Sequence, residues 1–300
     1  MVRPSGATRP VILCADDYGL SPGVNAAIRD LIAAGRLTAT SVMTVCPHWA
    51  AEAGALKALA GRAEVGLHLT LTDQPPLGAL PRLAPEGRLP PLGRLMRLAY
   101  AGRLDAGEIR AELARQIDAF TTAWGGPPAY IDGHQHVHQL PTVREAVADA
   151  LAGLPGAWVR LCREPAGAIL RRGVAVPKAL LISGLGGGLA RLARRRGIPA
   201  NDRFAGVYGF TGRRPFGALM ARFLDAPAGR TLVMVHPGLP DEALRRADPL
   251  VDQRRVEYEY LKGPDFAALL AERGIRLVRF TGAPTPGTED RPDVRSDERS

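Results

Sequence analysis

The run Val11-Ile12-Leu13-Cys14-Ala15 is apolar throughout and stops abruptly at Asp16-Asp17, as a strand buried on both faces does on reaching a polar rim. Ser21 then offers an N-cap and Pro22 suits a first helical turn. Val24, Ala27, Ile28 and Leu31 recur at helical spacing before Gly35, where a left-handed C-terminal residue belongs. A strand feeding directly into a helix is one βα unit, and the pattern repeats. Apolar runs at 38–45, 65–71, 129–131, 157–161, 231–235 and 275–280, with a candidate eighth strand at 204–210, alternate with mostly helical segments. Repeated βα units call for a parallel sheet. The sequence therefore predicts an α/β fold, a distorted parallel (β/α) barrel of seven or eight strands in a single domain over residues 1–280, with its chemistry at the carboxyl ends of the strands.

Two long connections interrupt the alternation, and both are expected to wall a substrate groove. Residues 72–93, rich in proline and glycine, read as a loop at the strand-end face. Residues 178–201 combine Gly184-Leu-Gly-Gly-Gly188, read as a flexible hinge, with Arg191, Arg194, Arg195 and Arg196. From residue 281 onward five acidic residues, three arginines and no aromatic residue predict a disordered polar tail, 281–300. Hydrophobic residues at 46% and charged residues at 23% exclude disorder of the whole chain. The net charge of +9 is carried by scattered arginines, only Lys57, Lys178 and Lys262 being lysines. No nucleic-acid-binding motif accompanies it, so no nucleic-acid partner is expected, whereas an anionic or membrane-held substrate stays open. The first ten residues lack an apolar signal core, and Cys14, Cys46 and Cys162 show no CxxC spacing. A cytoplasmic protein with its thiols buried as small hydrophobes is expected, and a homodimer is left open.

The chemistry gathers on five of the six histidines, His48 having no comparable setting. His68 follows Val65-Gly-Leu, His134, His136 and His138 lie in Asp132-Gly-His-Gln-His-Val-His138, and His236 ends Thr231-Leu-Val-Met-Val. With Asp16-Asp17 these groups mark four strand ends that a parallel barrel brings to one rim. Imidazole and carboxylate together suit an open three-ligand divalent site, an Asp with two His. An extended HxHxH cannot turn all three rings onto one ion, since alternate residues rise about 6.6 Å, so one or two of them are ligands. A turn at Tyr18-Gly19 lets both aspartates face one pocket, one binding metal while the other serves as base, with His236 as the candidate acid. The glycine run lacks the GK[ST] of a phosphate loop, and no GxSxG occurs.

Ala15-Asp-Asp-Tyr-Gly-Leu-Ser21, Val65-Gly-Leu-His-Leu69, Asp132-Gly-His-Gln-His-Val-His138 and Val235-His-Pro-Gly238 resemble, in order from about Val11 to Phe280, the YdjC-type carbohydrate deacetylases, which include chitooligosaccharide and hopanoid-biosynthesis deacetylases. The resemblance implies a distorted (β/α) barrel that hydrolyses an N-acetyl group from an amino sugar with one divalent cation. It also implies Asp17, His68 and His134 as metal ligands, Asp16 as base and His236 as acid. Gln135 and Tyr18 depart from the His and Phe that relatives often carry. Arg160, in Val159-Arg-Leu-Cys-Arg-Glu-Pro165, resembles the family's strand arginine, either holding Asp16 ionised, contacting substrate or forming an ordinary salt bridge. His136 and His138 are left as substrate-contacting or supporting groups. The resemblance points to magnesium, ligand softness to zinc. The alternatives are another metal-dependent amidohydrolase or phosphoesterase, and a non-catalytic basic protein on a membrane surface.

Overall fold

The computed structural model describes residues 8–281, so all but the first residue of the expected tail lies outside the described residues. Eight strands, β1 (Arg9–Tyr18), β2 (Ala39–Val42), β3 (Glu64–Leu69), β4 (Tyr130–Gly133), β5 (Trp158–Val159), β6 (Arg203–Ala205), β7 (Thr231–Val235) and β8 (Ile275–Leu277), form one sheet. Its order is β5-β4-β3-β2-β1-β7-β6, every pairing is parallel, and β8 pairs with the start of β1. Beyond β5, Val159 donates its N–H to the Pro199 carbonyl at 2.9 Å and bridges Ala200, just ahead of β6. The two edges of the curled sheet thereby meet, giving the distorted barrel that the repeated βα units predict.

Twelve helices are described: α1 (Pro22–Ala33), α2 (His48–Lys57), α3 (Leu92–Tyr100), α4 (Ala106–Trp124), α5 (Val143–Ala152), α6 (Ala166–Arg172), α7 (Val176–Leu185), α8 (Gly187–Arg196), α9 (Phe216–Phe223), α10 (Glu242–Ala247), α11 (Asp252–Lys262) and α12 (Pro264–Glu272). The Ser21 hydroxyl accepts from Val24 N to start α1, and Gly35 at φ 67° turns the chain after it, as the sequence suggests. None of the described helices is long and apolar enough to cross a membrane.

Strand parity sorts the core and sets up the site. Successive side chains of a strand face opposite ways, and Val11, Leu13 and Ala15 join the large cluster shared with the helices. Ile12 and Cys14 join Tyr130, Trp158, Phe204, Leu232 and Met234 in a second cluster, the barrel interior. One step further along the same parity on each strand stand Asp16, Asp132, Arg160 and His236, and His68 shares β3's inward face with Gly66. Gly66 is where a side chain is forbidden, because a Cβ there would lie 2.4 Å from the Tyr130 ring. The polar floor is thus the next layer above an apolar barrel plug.

Three expectations change. β1 does not stop at the aspartates but continues to Tyr18 through a register irregularity after Ala15. The expected hinge, Gly184-Leu-Gly-Gly-Gly188, is instead the junction of α7 and α8, and Lys178, Leu181, Ile182 and Leu185 of the same connection line the cavity. Two of the four glycines there are points of close approach, since a Cβ at Gly186 would lie 2.5 Å from Gln139 and one at Gly188 2.2 Å from the end of the Arg144 side chain. The stretch 72–91 is irregular as expected but docks on α4, with Leu77 N bonded to Glu112 and Leu83 N to Glu108. It therefore packs against a helix, and of the expected wall 72–93 Leu92, at the start of α3, lines the cavity together with Met96.

Candidate active site

Asp16 and Asp17 reach the same cavity because Asp17 adopts φ 72° at the irregularity in β1, undoing the strand's alternation. The Asp132-to-His138 segment uses the same device. After β4 ends at Gly133, His134–Gln139 form a 3₁₀ turn in which Gln135 (φ 52°) and His136 (φ 63°) are left-handed. Left-handed backbone in non-glycine residues costs about 1–3 kcal/mol each and collects at functional sites. Four of the seven such residues described, Asp17, Gln135, His136 and Phe210, line this one cavity.

The kinked turn separates the three histidines. His134 Nδ1 lies 3.1 Å from Asp17 Oδ1, and His68 Nε2 lies 3.3 Å from the same oxygen. One ligand atom each from Asp17, His68 and His134 falls within 4.8 Å of the others. His136 turns its Nδ1 to the Cys162 sulfur at 3.4 Å and stands edge-on to Phe204 while still lining the cavity. His138 is fully buried and donates Nε2–H to the Arg160 carbonyl at 2.9 Å, beneath the floor. The structure brings one histidine of the run to the Asp17 group.

Each group facing the cavity is held from behind. Asp132, which pairs with His68 in the β3–β4 register, takes the His68 Nδ1 at 2.6 Å and leaves Nε2 toward Asp17. Arg254 of α11 donates Nη2–H to Asp17 Oδ2 at 2.6 Å, so Oδ1 is the oxygen left for the two imidazoles. Arg160, fully buried, grips both oxygens of Asp16 at 2.7 and 2.6 Å and touches Asp132 Oδ2 at 2.6 Å. His236 sits with Nε2 4.0 Å from Asp16 Oδ2, edge-on to Phe210. Asp132, Arg254 and Glu257, whose carboxylate accepts the His236 main-chain N–H at 2.6 Å, were not singled out as site residues in the sequence. No local sequence signal marks the latter pair: α11 buries Gln253, Arg254 and Glu257 while Val256 is exposed, the reverse of what its composition suggests. Of the two departures, Gln135 is exposed at the cavity, and Tyr18 points away, its hydroxyl donating to the Glu52 carbonyl.

Three buried carboxylates face two buried guanidiniums, so with His68 neutral the floor is one positive charge short. Burial opposes protonation of His68, yet Asp132 and Asp16 push its pKa up to about 10. Burial opposes ionisation of Asp17, but Arg254 and the bonds from His134 and His68 hold its carboxyl well below the usual range. An oxygen and two nitrogens, backed by a carboxylate on one imidazole, match what a divalent cation requires. A second group, Cys14, Asp16 and Asp132, also brings ligand atoms within 4.8 Å, but Arg160 Nη2 already fills it, 3.0 Å from the Cys14 sulfur. Above the floor the cavity measures about 370 Å³, ordinary for a small-molecule site. Its walls are apolar, with Leu92 and Met96 of α3 facing Leu181, Ile182 and Leu185 of α7.

With this geometry in place, comparison with known proteins is informative. The chain is 34% identical over 273 residues to a chitooligosaccharide deacetylase of Serratia marcescens, covering 90% of this chain and 97% of the relative. It is 31% identical to a carbohydrate deacetylase of Mus musculus, covering 89% and 92%. A crystal structure of a putative cellobiose-phosphate cleavage protein from Enterococcus faecalis superposes with a TM-score of 0.72 at 20% identity, covering 92% of this chain and 98% of that one, and so shares the fold. The family model described as YdjC-like protein matches residues 10–272, nearly the whole described chain, and the chain belongs to the YdjC-like family.

Proposed function

We propose that this protein is a metal-dependent hydrolase that removes the acetyl group from an N-acetylated amino sugar, releasing acetate. The observation that carries the reading is the convergence of Asp17, His68 and His134 beside an arginine-clamped Asp16 at the bottom of one cavity. Relatives named as chitooligosaccharide and carbohydrate deacetylases support it. Asp17, His68 and His134 would hold one divalent cation, magnesium or zinc, which when bound polarises the acetamide carbonyl and offsets the floor's negative charge.

The chain's own residues supply the proton traffic. Asp16, oriented by Arg160, accepts a proton from the attacking water as its oxygen bonds to the carbonyl carbon. Burial lowers the His236 pKa to about 4 despite Asp17 and Asp16, so its imidazole rests neutral and must first receive the proton it passes on. Asp16 Oδ2, 4.0 Å from Nε2, is the donor within reach. His236 then protonates the departing nitrogen, the C–N bond breaks, and acetate and the free amine leave. We place the enzyme in the cytoplasm, where the buried free thiols Cys14, Cys46 and Cys162 suit a reducing compartment. Among candidate acceptors the apolar walls favour a lipid-linked glycoside over an unadorned oligosaccharide or a nucleotide sugar.

Acetate release is measured across those three substrate types, after EDTA treatment and again with Mg²⁺ or Zn²⁺ restored. Activity that returns with about one ion per chain is expected. Asp16→Asn should keep the cation and lose turnover, and His68→Ala should lose both. Full activity after EDTA, or in either variant, sinks the assignment.

A further inference from the structure

We propose that α11 is the positioning helix of this site. Arg254 and Glu257, one turn apart, lock Asp17 and the end of β7, so that cation affinity and proton delivery are set from a single element. The inference rests on the deacetylase reading for its kinetic arm alone.

Arginine and glutamate are almost never fully buried unless paired, and residues three apart on a helix share a face. Arg254 and Glu257 are 1% and 0% exposed. Arg254 Nε donates to the Leu250 carbonyl at 2.9 Å, and Nη2 donates to Asp248 at 2.8 Å and to Asp17 Oδ2 at 2.6 Å. With Oδ2 taken, the Asp17 carboxylate cannot swing away from His68 and His134. Glu257 Oε2 accepts the His236 N–H at 2.6 Å and Oε1 accepts the Tyr208 hydroxyl. A third tie runs along the same turn, Gly238 N–H to the Arg254 carbonyl at 3.0 Å. Gly238 packs so closely that a Cβ there would lie 3.2 Å from the Arg254 Cβ. The chain around His236 is therefore fixed to α11 at two main-chain amides, and Asp17 at one carboxylate oxygen. Glu257 does not line the cavity, and Arg254, which does, has its Nη2 committed to Asp17 and Asp248, so each acts through the group it holds.

The two arms predict a double dissociation in the full-length chain. Zn²⁺ is titrated calorimetrically into EDTA-treated protein, acetate release gives kcat and KM, and thermal unfolding gives Tm. Arg254→Met should weaken Zn²⁺ binding at least tenfold, as loss of a ligand-orienting partner does, and Arg254→Lys carries the same comparison if the methionine variant does not fold. Glu257→Leu should leave Zn²⁺ affinity within twofold and lower kcat at least tenfold with KM unchanged. Glu257→Gln should recover most of kcat, because its oxygen still accepts from His236 and its amide can donate to the Tyr208 oxygen. A helix that merely supports the fold would move both readouts in both variants together with Tm. That pattern, or unchanged Zn²⁺ affinity in the Arg254 variants, overturns the proposal. A parent that binds Zn²⁺ without releasing acetate overturns the deacetylase reading instead, and the Arg254 comparison then decides the positioning role by itself.

Discussion

Among the described residues two clusters of ligand-type atoms lie side by side in the barrel floor, joined by the His68–Asp132 bond, yet one is open and the other filled. In the Asp17, His68 and His134 group the nearest guanidinium, Arg254, stands behind the carboxylate and contacts only Oδ2. In the Cys14, Asp16 and Asp132 group the Arg160 guanidinium occupies the middle, with one nitrogen against all three side chains. Proximity of ligand atoms is thus no measure of a metal site. What distinguishes the two is whether the compensating charge sits between the ligands or behind them. The filled cluster is suited to holding a carboxylate in place, the open one to accepting a cation.

The sharpest way to break this comparison is Asp16→Asn. If Asp16 belongs to the filled cluster and acts only on protons, kcat should fall about 10²- to 10⁴-fold while Zn²⁺ or Mg²⁺ affinity stays within threefold. A matching loss of affinity would make Asp16 a ligand and merge the clusters. Arg160→Met comes next. It strands Asp16 and Asp132 without a counter-charge, and breaking a buried ion pair on one side costs about 3–5 kcal/mol, read from the denaturant midpoint. If Zn²⁺ restored that stability and bound at two ions per chain, the filled cluster would be a metal site blocked by its arginine.

The unequal legibility of the two clusters in the sequence has a physical basis. Asp17, His68, His134 and His236 lie at abrupt ends of apolar runs, and a barrel converts such ends into one rim, so the open cluster follows from local pattern plus topology. The barrel itself is readable from a related pattern, since short apolar runs buried on both faces alternate with helical segments and so call for a parallel sheet. Asp132 stands in the same histidine-rich motif, but its bond to His68 depends on the β3–β4 register, which one sequence does not encode locally. Arg254 is harder still: it lies 237 residues from Asp17, inside Asp252-Gln-Arg-Arg-Val-Glu-Tyr-Glu, which reads as a solvated helix face. The helices α7 and α8 are not legible in the sequence because the glycines between them suggest freedom, whereas Gly186 sits where a Cβ would crowd Gln139 and Arg163.

Asp132→Asn tests the link between the clusters, since Asp132 touches Arg160 in one and orients His68 in the other. Cation affinity should drop about 10- to 100-fold, with turnover at saturating cation reduced less than in Asp16→Asn. If turnover at saturation fell as far as in Asp16→Asn, Asp132 would be acting on the base through Arg160 and not on His68.

The smallest effect is expected at Cys14, and its size is informative. The sulfur is fully buried, 3.0 Å from Arg160 Nη2 and 3.1 Å from the Tyr130 hydroxyl. Burial outweighs the attraction of Arg160 and pushes the thiol pKa up to about 12. A thiol that stays protonated is a poor ligand, because the thiolate is the species that binds metal. Cys14→Ala then removes only weak sulfur contacts and a little volume, a loss of about 1 kcal/mol in stability, with cation affinity and kcat both within twofold of the parent. A tenfold drop in affinity for Zn²⁺ but not Mg²⁺ would mean that the sulfur is used as a soft ligand, and the division between open and filled clusters would fail at its most protected atom.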